Sequence, residues 1–259
     1  MTQAAAITFD LWDTLVVDDS DEIERAQRGL LSKRDERRRL LYEALASVEP
    51  VDEADVSLAF DVGDAAFNRV WRHQHVTWRI EERVDVILQG LGRQLPEPIH
   101  RAMLEQLETM EVDIPPVLIE GCAAALEELS AQFPLAIVYD AIVTPGRQLR
   151  RLLENHGILK YFSAFAFSDE VGYSKPHRAM FAKVADELDV PIEQMIHIGD
   201  REHNDVGGAH ALGMRAILFT AARDADSLGS KADAVCESYA NLPEILRQLT
   251  GGATPPGGG

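Results

Sequence analysis

The sequence predicts an α/β fold, in which a Rossmann-like, doubly wound parallel sheet forms the core and an α-helical domain is inserted. Two observations predict it. Short apolar runs typical of buried strands alternate with helical stretches in the second half of the chain, and a long helical segment interrupts this alternation after the first strand. Because strand–helix alternation favours a parallel sheet covered on both faces, we expect ligands to bind beyond the carboxyl ends of the strands.

The core elements are predicted from apolar periodicity. Short apolar runs that end at polar or turn-forming residues indicate strands. These runs are residues 4–9, 135–138, 164–167, 195–198 and 216–219. Apolar residues at helical spacing indicate helices between or after them, at residues 123–129, 145–153, 177–188 and 206–212.

The inserted segment is predicted as consecutive helices, at residues 24–47, 52–71, 79–90 and 98–110. Apolar residues recur at helical spacing in the last of these, and Pro115 and Pro116 end the helical run. The end of the chain is poor in apolar residues and is predicted to be disordered. The predicted division is a core of residues 1–16 and 116–250, a helical domain of residues 17–115, and a disordered tail of residues 251–259.

The composition excludes several classes of function. The 259 residues include 25 basic and 43 acidic side chains, and the resulting net charge of -18 predicts repulsion from nucleic acids and anionic membranes. No apolar run is long enough to span a bilayer, and the first residues do not resemble a secretory signal. The 2 cysteines cannot form a disulfide framework or a cysteine zinc site. We therefore expect a cytoplasmic protein that binds neither nucleic acid nor membrane.

Three polar clusters follow predicted strands. Asp10 ends the first strand, four residues before Thr14, and its carboxylate could act as a nucleophile or a metal ligand, or could cap a turn. Lys175, at a strand-to-helix junction, could neutralise carboxylates and a substrate anion, or could lie in solvent before a helix. Asp200 and Asp205 could bind a hard cation such as Mg²⁺, or could belong to an ordinary acidic loop.

Together, the order of these clusters and their positions at strand ends resemble the haloacid dehalogenase superfamily of hydrolases. The resemblance covers nearly the whole chain, including a helical cap inserted after the first motif. It implies that Asp10 is a nucleophile that forms an aspartyl ester or an aspartyl phosphate, and that Lys175 holds this nucleophile and the substrate anion. It further implies a Mg²⁺ ion bound by the Asp10 carboxylate, the Trp12 carbonyl and Asp200, with Asp205 helping directly or through water.

Two positions depart from the pattern of phosphatases in this superfamily. Where they place a second Asp that protonates the leaving group, this sequence has Trp12, and Asp13 stands one residue later with its side chain expected to point elsewhere. Loss of a general acid costs about 10²–10⁴-fold in rate. In the second motif, Tyr139 replaces the Ser or Thr whose hydroxyl binds the transferred group. Either Tyr139 remodels the pocket, or Thr144 or the backbone N–H groups near Asp140 and Ala141 supply the donors. We expect Tyr139 to be a catalytic residue and Thr14 and Asp140 to bind the substrate.

The predicted helical cap carries aromatic and basic residues that could select the substrate. Trp71 and Arg72 could line the mouth of the pocket, where Arg would meet an anion and Trp would stack on a ring. The alternative is that the aromatic residues of this segment pack the cap helices together. The basic run of residues 33–39 is interrupted by acidic residues and is predicted to be a solvated, ion-paired helix face without a partner.

The leading hypothesis is therefore an enzyme, a Mg²⁺-dependent hydrolase that uses Asp10 on a small anionic substrate, a phosphorylated metabolite. Trp12 favours a second hypothesis, hydrolysis of a carbon–halogen or related bond without a general acid. Asp200 and Asp205 argue against it, since uncompensated carboxylates would repel a haloacid. Trp12 and Tyr139 together leave a third hypothesis open, a catalytically weak or inactive binding or regulatory protein with the same fold.

Overall fold

The computed structural model describes residues 4–250, and the predicted tail lies outside the described residues. Within that range, one six-stranded parallel sheet has the strand order β3-β2-β1-β4-β5-β6. The strands are β1 (Ala6–Phe9), β2 (Leu135–Tyr139), β3 (Phe162–Phe167), β4 (Met195–Gly199), β5 (Arg215–Phe219) and β6 (Ala234–Cys236). The order changes direction at β1, as in a doubly wound sheet, so the predicted fold class is confirmed.

All the predicted strands are present, and their ends differ from the predictions by at most two residues. The structure contains one further strand, β6, which was not predicted. This strand has only 3 residues, and its central Val235 is 43% exposed, so no apolar run marks it. It adds to the edge of the sheet by pairing with β5, where Phe219 aligns with Cys236.

Eleven α-helices are found within residues 4–250, and no helix there is long and apolar enough to cross a membrane. They are α1 (Ser20–Gln27), α2 (Lys33–Ala46), α3 (Glu53–Gln74), α4 (Ile80–Gly90), α5 (Glu97–Asp113), α6 (Cys122–Ser130), α7 (Gly146–Asn155), α8 (Ser168–Val171), α9 (Arg178–Leu188), α10 (Gly208–His210) and α11 (Leu242–Thr250). A π-helical segment, Glu202–Gly207, follows β4 and leads directly into α10.

Helices cover both faces of the sheet because the strands are apolar on both sides. Phe9 of β1 belongs to an apolar cluster that includes Leu126 of α6 and Leu149 of α7. Ala6, on the same strand, belongs to the cluster on the opposite face, which includes Phe181 of α9. The first strand is therefore buried at the centre of the core.

Helices α1–α5, here called the helical layer, lie between β1 and β2 in sequence. A third apolar cluster lies within this layer and includes Leu41 of α2, Phe60 of α3 and Leu107 of α5. The chain enters and leaves the layer along two neighbouring segments, since the Val17 N–H donates a hydrogen bond to the Val117 carbonyl at 2.9 Å. Both connections therefore start close to the end of β1.

The predicted single helix at residues 24–47 is wrong, because the structure contains two helices there, α1 and α2. Gly29 lies between them with a φ of +70°, a conformation that residues with a Cβ rarely adopt. Ser32 then caps α2, since its hydroxyl accepts a hydrogen bond from the Asp35 N–H at 3.1 Å. Because of this break, the second helix begins at Lys33.

Candidate active site

The carboxyl ends of three neighbouring strands bring acidic residues to one edge of the sheet. Parallel pairing aligns Phe9, the last residue of β1, with Ile137 of β2 and Ile198 of β4, so the three strands end close together. Asp10 follows β1, Asp140 follows β2 and Asp200 follows β4, and all three side chains are buried. Buried carboxylates cost free energy unless cations or hydrogen-bond donors compensate them, so this edge requires a counter-charge.

Lys175 supplies that counter-charge. Its Nζ donates hydrogen bonds to Asp10 Oδ1 and to Asp205 Oδ1, the latter at 2.6 Å, and its backbone N–H donates to Asp140 Oδ1 at 2.8 Å. Burial alone would lower the pKa of Lys175, but the charges of the carboxylates outweigh burial and raise the pKa above its ordinary value. The lysine therefore stays charged at neutral pH.

Asp205 is held in place by several polar contacts. Its Oδ1 lies 3.1 Å from Nε2 of the buried His197, and its Oδ2 accepts a hydrogen bond from the Arg201 N–H at 2.9 Å. Gly199 permits this placement, because a Cβ there would lie 2.3 Å from Asp205 Cγ. Burial would raise the pKa of Asp205, but the Lys175 charge and the His197 contact lower it below its ordinary range. Asp205 therefore stays ionised and orients Lys175.

Asp10, Asp200 and Asp205 form a cluster that could hold a metal ion, because one carboxylate oxygen of each lies within 4.8 Å of the others. Burial, with the charge of Asp205, raises the pKa of Asp10 well above its ordinary value and the pKa of Asp200 to about 6. Lys175 pairs with Asp10 and Asp205, whereas Asp200 contacts two arginines at the edge of the cluster. The cluster still offers carboxylate oxygens, the ligands that Mg²⁺ prefers. The donor set therefore fits a divalent cation.

Trp12 and Tyr139 form an aromatic wall beside Asp10. Their rings stack with centroids 5.2 Å apart and an interplanar angle of 21°. Both side chains line the same cleft as Asp10, which has a volume of about 290 Å³. Burial, followed by the charges of Glu111 and Asp10, raises the pKa of Tyr139 well above its ordinary value, so the phenol keeps its proton. Tyr139 thus faces the site and narrows the space beside Asp10.

The other predicted substrate-binding residues divide into two groups. Asp140 and Trp71 line the cleft, whereas Thr14 and Arg72 do not. Thr14 is fully buried, and its carbonyl accepts a hydrogen bond from the Tyr239 O–H at 2.5 Å. Arg72 is exposed on α3. The geometry of the cleft therefore places neither Thr14 nor Arg72 where it would contact a substrate.

Asp13 is also turned away from the cleft. Its φ of +54° lies in the left-handed region, and its Oδ1 accepts a hydrogen bond from the Asp18 N–H at 3.0 Å. Asp13 therefore holds the loop between β1 and α1, and Asp18, the residue that it holds, lines the cleft.

The prediction of a solvated basic face at residues 33–39 is wrong for Lys33. This side chain is buried, with its Nζ 2.9 Å from Asp21 Oδ1 and 3.4 Å from Glu111 Oε1. Lys33 and Arg37 both line the cleft. The reason is positional, because Lys33 is the first residue of α2 and its side chain turns toward acids of α1 and α5.

Three further residues near the acidic cluster were not predicted. Arg201 Nε lies 3.0 Å and Arg223 Nη1 lies 3.3 Å from Asp200 Oδ2. His197 is fully buried, and its Nδ1 lies 2.8 Å from Thr8 Oγ1. A polar residue inside the apolar run of β4 was an available signal for His197, whereas no motif marks Arg223.

The comparison with protein families agrees with this site. The model of the haloacid dehalogenase-like hydrolase family matches residues 4–213. Because this match covers well over half of the chain, the protein belongs to that family and is a hydrolase.

Two curated relatives are named as phosphatases. The chain is 27% identical to the 5-amino-6-(5-phospho-D-ribitylamino)uracil phosphatase YigB of Escherichia coli, with 82% of each chain covered. It is 30% identical to the ribulose-1,5-bisphosphate 5-phosphatase of Halopiger xanaduensis over 134 residues, which are 51% of this chain and 55% of that protein. The second match therefore spans only about half of the relative's length.

Solved structures show the same fold. A 2-haloacid dehalogenase from Pseudomonas syringae pv. Tomato DC3000 superposes with a TM-score of 0.65 and 22% sequence identity, covering 95% of this chain and 99% of that one. At this level of identity the likeness concerns the fold alone.

Proposed function

We propose that the protein is a Mg²⁺-dependent phosphatase that acts on a small phosphorylated metabolite with Asp10 as the nucleophile. The observation that carries this proposal is the Lys175 ammonium group, which bridges Asp10 and Asp205 within a cluster of buried carboxylates. Lys175 favours the ionised form of Asp10, and its charge attracts a phosphate group. Nucleophile, counter-charge and metal-binding oxygens thus meet at one end of the cleft.

The proposed reaction has two steps. An Asp10 carboxylate oxygen attacks phosphorus, the bond between phosphorus and the leaving oxygen breaks, and that oxygen takes up a proton. Water then attacks the resulting aspartyl phosphate, which releases inorganic phosphate and regenerates the carboxylate. Lys175 remains beside Asp10 in both steps and balances the charge on the transferred group.

The metal site of this proposal consists of the Asp10 carboxylate, the Trp12 carbonyl and the Asp200 carboxylate. A bound Mg²⁺ would reduce the repulsion between these acids and the substrate anion. Asp205 has both oxygens engaged by Lys175, His197 and a backbone N–H, so we assign it to orienting the lysine and to supporting the metal directly or through water.

The substrate class of the proposal rests on the relatives and on the cleft. Both curated relatives described above are named as phosphatases of small phosphorylated compounds. The cleft of about 290 Å³ suits a small metabolite, with Lys175 at one end and aromatic side chains along a wall. We place this reaction in the cytoplasm, where the free, buried Cys122 and Cys236 would stay reduced.

We also propose that the helical layer acts as a cap domain, with the boundaries predicted from the sequence. Its apolar side chains form a cluster of their own, and Lys33, Arg37 and Trp71 from the layer line the same cleft as Asp10. A layer that completes the cleft in this way would select the part of the substrate that does not react.

A second candidate is hydrolysis of a carbon–halogen bond. The Trp12–Tyr139 stack favours it, because an aromatic wall without an acid suits a halide, which leaves without a proton. The cluster that includes Asp200 argues against it, because a haloacid gains nothing from a divalent cation and is repelled by uncompensated carboxylates.

A panel assay separates these candidates. We expect the purified protein to release phosphate from phosphorylated metabolites and from p-nitrophenyl phosphate in Mg²⁺, and to stop in EDTA. Asp10→Asn should reduce turnover by about 10⁴-fold or more, since no other nucleophile takes its place. Release of halide from 2-haloacids in EDTA, without release of phosphate in Mg²⁺, would instead establish the second candidate.

A further inference from the structure

The proposed phosphatase reaction requires a proton at the leaving oxygen, and the residue at the usual position cannot supply it. Trp12 has an indole side chain with no acidic proton, and it stacks on Tyr139. Asp13 is close in sequence, but its carboxylate accepts the Asp18 N–H and does not line the cleft. An acid on another part of the cleft wall must therefore act if substrates with poor leaving groups are to be hydrolysed.

Most carboxylates that line the cleft already have partners. Asp10 and Asp140 accept hydrogen bonds from Lys175 at the end where phosphorus would bind. Asp200 belongs to the metal-binding cluster. On the side of the helical layer, Glu111 Oε2 accepts a hydrogen bond from the Thr144 hydroxyl at 2.5 Å.

The two acids of the loop that enters the helical layer differ from each other. Asp19 Oδ1 lies 3.2 Å from Lys33 Nζ, so Asp19 is paired with a cation. Asp18 accepts one hydrogen bond, from the Asp19 N–H at 2.9 Å, and within residues 4–250 no cationic group lies within 4 Å of its carboxylate. Its other carboxylate oxygen is free to donate or accept a proton in the cleft.

We propose that Asp18 is the proton donor to the leaving oxygen. Three structural observations support this role: Asp18 lines the cleft that contains Asp10, its carboxylate has no cationic partner, and Asp13 fixes its backbone at 3.0 Å. Trp12 and Tyr139 line this cleft as well, so Asp10 and Asp18 share it with the aromatic wall. The acid missing at Trp12 is thus replaced from a later position in the same loop.

The surroundings of Asp18 suit this role. Partial desolvation at the edge of the cleft is the largest cause that raises its pKa, the like charges of Asp19 and Asp13 add to it, and Lys33 opposes it, which gives a pKa of about 6. Tyr139, which lines the same cleft, stays neutral because its pKa is raised well above its ordinary value. A raised pKa keeps the Asp18 carboxyl group protonated closer to neutral pH, and an acid whose pKa lies near the operating pH donates efficiently.

The proton balance closes over one reaction cycle. The Asp18 carboxyl group gives its proton to the leaving oxygen as the bond to phosphorus breaks. The resulting carboxylate then accepts a proton from the water that attacks the aspartyl phosphate of Asp10, which restores the starting state. Asp18 is exposed to solvent, so it can also exchange its proton with water.

The test compares two leaving groups. Glycerol 3-phosphate has a poor leaving group, which needs a proton, whereas p-nitrophenyl phosphate has a good one, which does not. We expect Asp18→Asn to lower kcat/KM for glycerol 3-phosphate by about 10²–10⁴-fold and to leave that for p-nitrophenyl phosphate nearly unchanged. The matched control is Asp19→Asn, which removes a neighbouring acid and should change both substrates by the same factor. Asp18→Glu should restore part of the lost activity.

The pH profile provides a second readout. Because the donor must be protonated, kcat/KM of the native protein for glycerol 3-phosphate should fall as pH rises above about 6. Asp18→Asn should remove this fall, and p-nitrophenyl phosphate should not show it. An equal loss on both substrates, or an unchanged pH profile, would overturn the role of Asp18. If the native protein hydrolyses neither substrate, the proposed function fails, and the role of Asp18 fails with it.

Discussion

Two buried lysines line the cleft, one at the edge of the sheet and one in the helical layer. Their surroundings are similar, but we expect only the lysine at the edge of the sheet to take part in the reaction. Lys175, at the edge of the sheet, contacts Asp10 and Asp205. Lys33, in the helical layer, contacts Asp21 at 2.9 Å and Glu111 at 3.4 Å. In both cases burial alone would lower the lysine pKa and the neighbouring carboxylates raise it above its ordinary value.

The acids around the two lysines make the difference. The acids near Lys175 include three that converge on a common point, with one oxygen of each within 4.8 Å of the others, so they can share a cation. The acids around Lys33 instead each contact the lysine itself. They belong to the entry loop, α1 and α5. A buried ion pair is therefore no sign of catalysis by itself; what matters is whether the acids around it place their oxygens close enough together to share a cation.

Replacing each lysine by methionine tests this difference between the two lysines most directly. Removing one partner of a buried ion pair costs about 3–5 kcal/mol, so Lys175→Met and Lys33→Met should both lower the free energy of unfolding by amounts of that order. Lys175→Met should also lower kcat by about 10²–10³-fold, because it removes charge from the phosphoryl end. Urea unfolding and phosphate release would measure both effects.

The contribution of each lysine to the free energy of unfolding depends on pH in the same direction. Since folding raises the pKa of each, the stability contribution of each is present below the ordinary lysine pKa of about 10.4 and is lost only as pH rises through the folded value. The difference between native and variant proteins should thus be constant from about pH 7 to pH 9. A loss of kcat in Lys33→Met as large as that in Lys175→Met would show that both sides of the cleft take part in the reaction.

The sequence predicted one side of the cleft far better than the other. Lys175, Asp10 and Asp200 follow strands, so local motifs and the geometry of a parallel sheet together place them at one edge. Asp18 is placed by its hydrogen bond to Asp13 in the loop after β1, and Lys33 reaches the cleft only through the packing of the helical layer. That packing depends on the break at Gly29 and on contacts between residues far apart in sequence, which periodicity does not encode.

Metal binding sharpens the comparison in a second way. A ligand at 100 times its dissociation constant stabilises the folded state by about 2.7 kcal/mol, so saturating Mg²⁺ should raise the midpoint of thermal unfolding. We expect Asp200→Asn to abolish this response, because it removes one oxygen ligand of the cluster. Asp21→Asn, which neutralises a buried acid beside Lys33, is the matched control and should keep the response to Mg²⁺. Equal responses in the two variants would contradict the assignment of the metal to the edge of the sheet.

The smallest expected effect tests whether an acid at position 12 can replace Asp18 as the proton donor. If Asp18 donates the proton because Trp12 cannot, then Trp12→Asp in the Asp18→Asn background should recover about tenfold in kcat/KM for glycerol 3-phosphate, within the range of a general acid. The recovery should be partial, because the change also removes the stack on Tyr139, worth about 0.5–1.5 kcal/mol. Trp12→Asp in the native background should give a smaller gain, since Asp18 already acts there. No recovery would mean that the acid positions are not interchangeable. A different outcome would support the third hypothesis. If the native protein shows no turnover and the double variant Trp12→Asp, Tyr139→Ser does, the protein is a binding protein, and its aromatic wall has closed the site to catalysis.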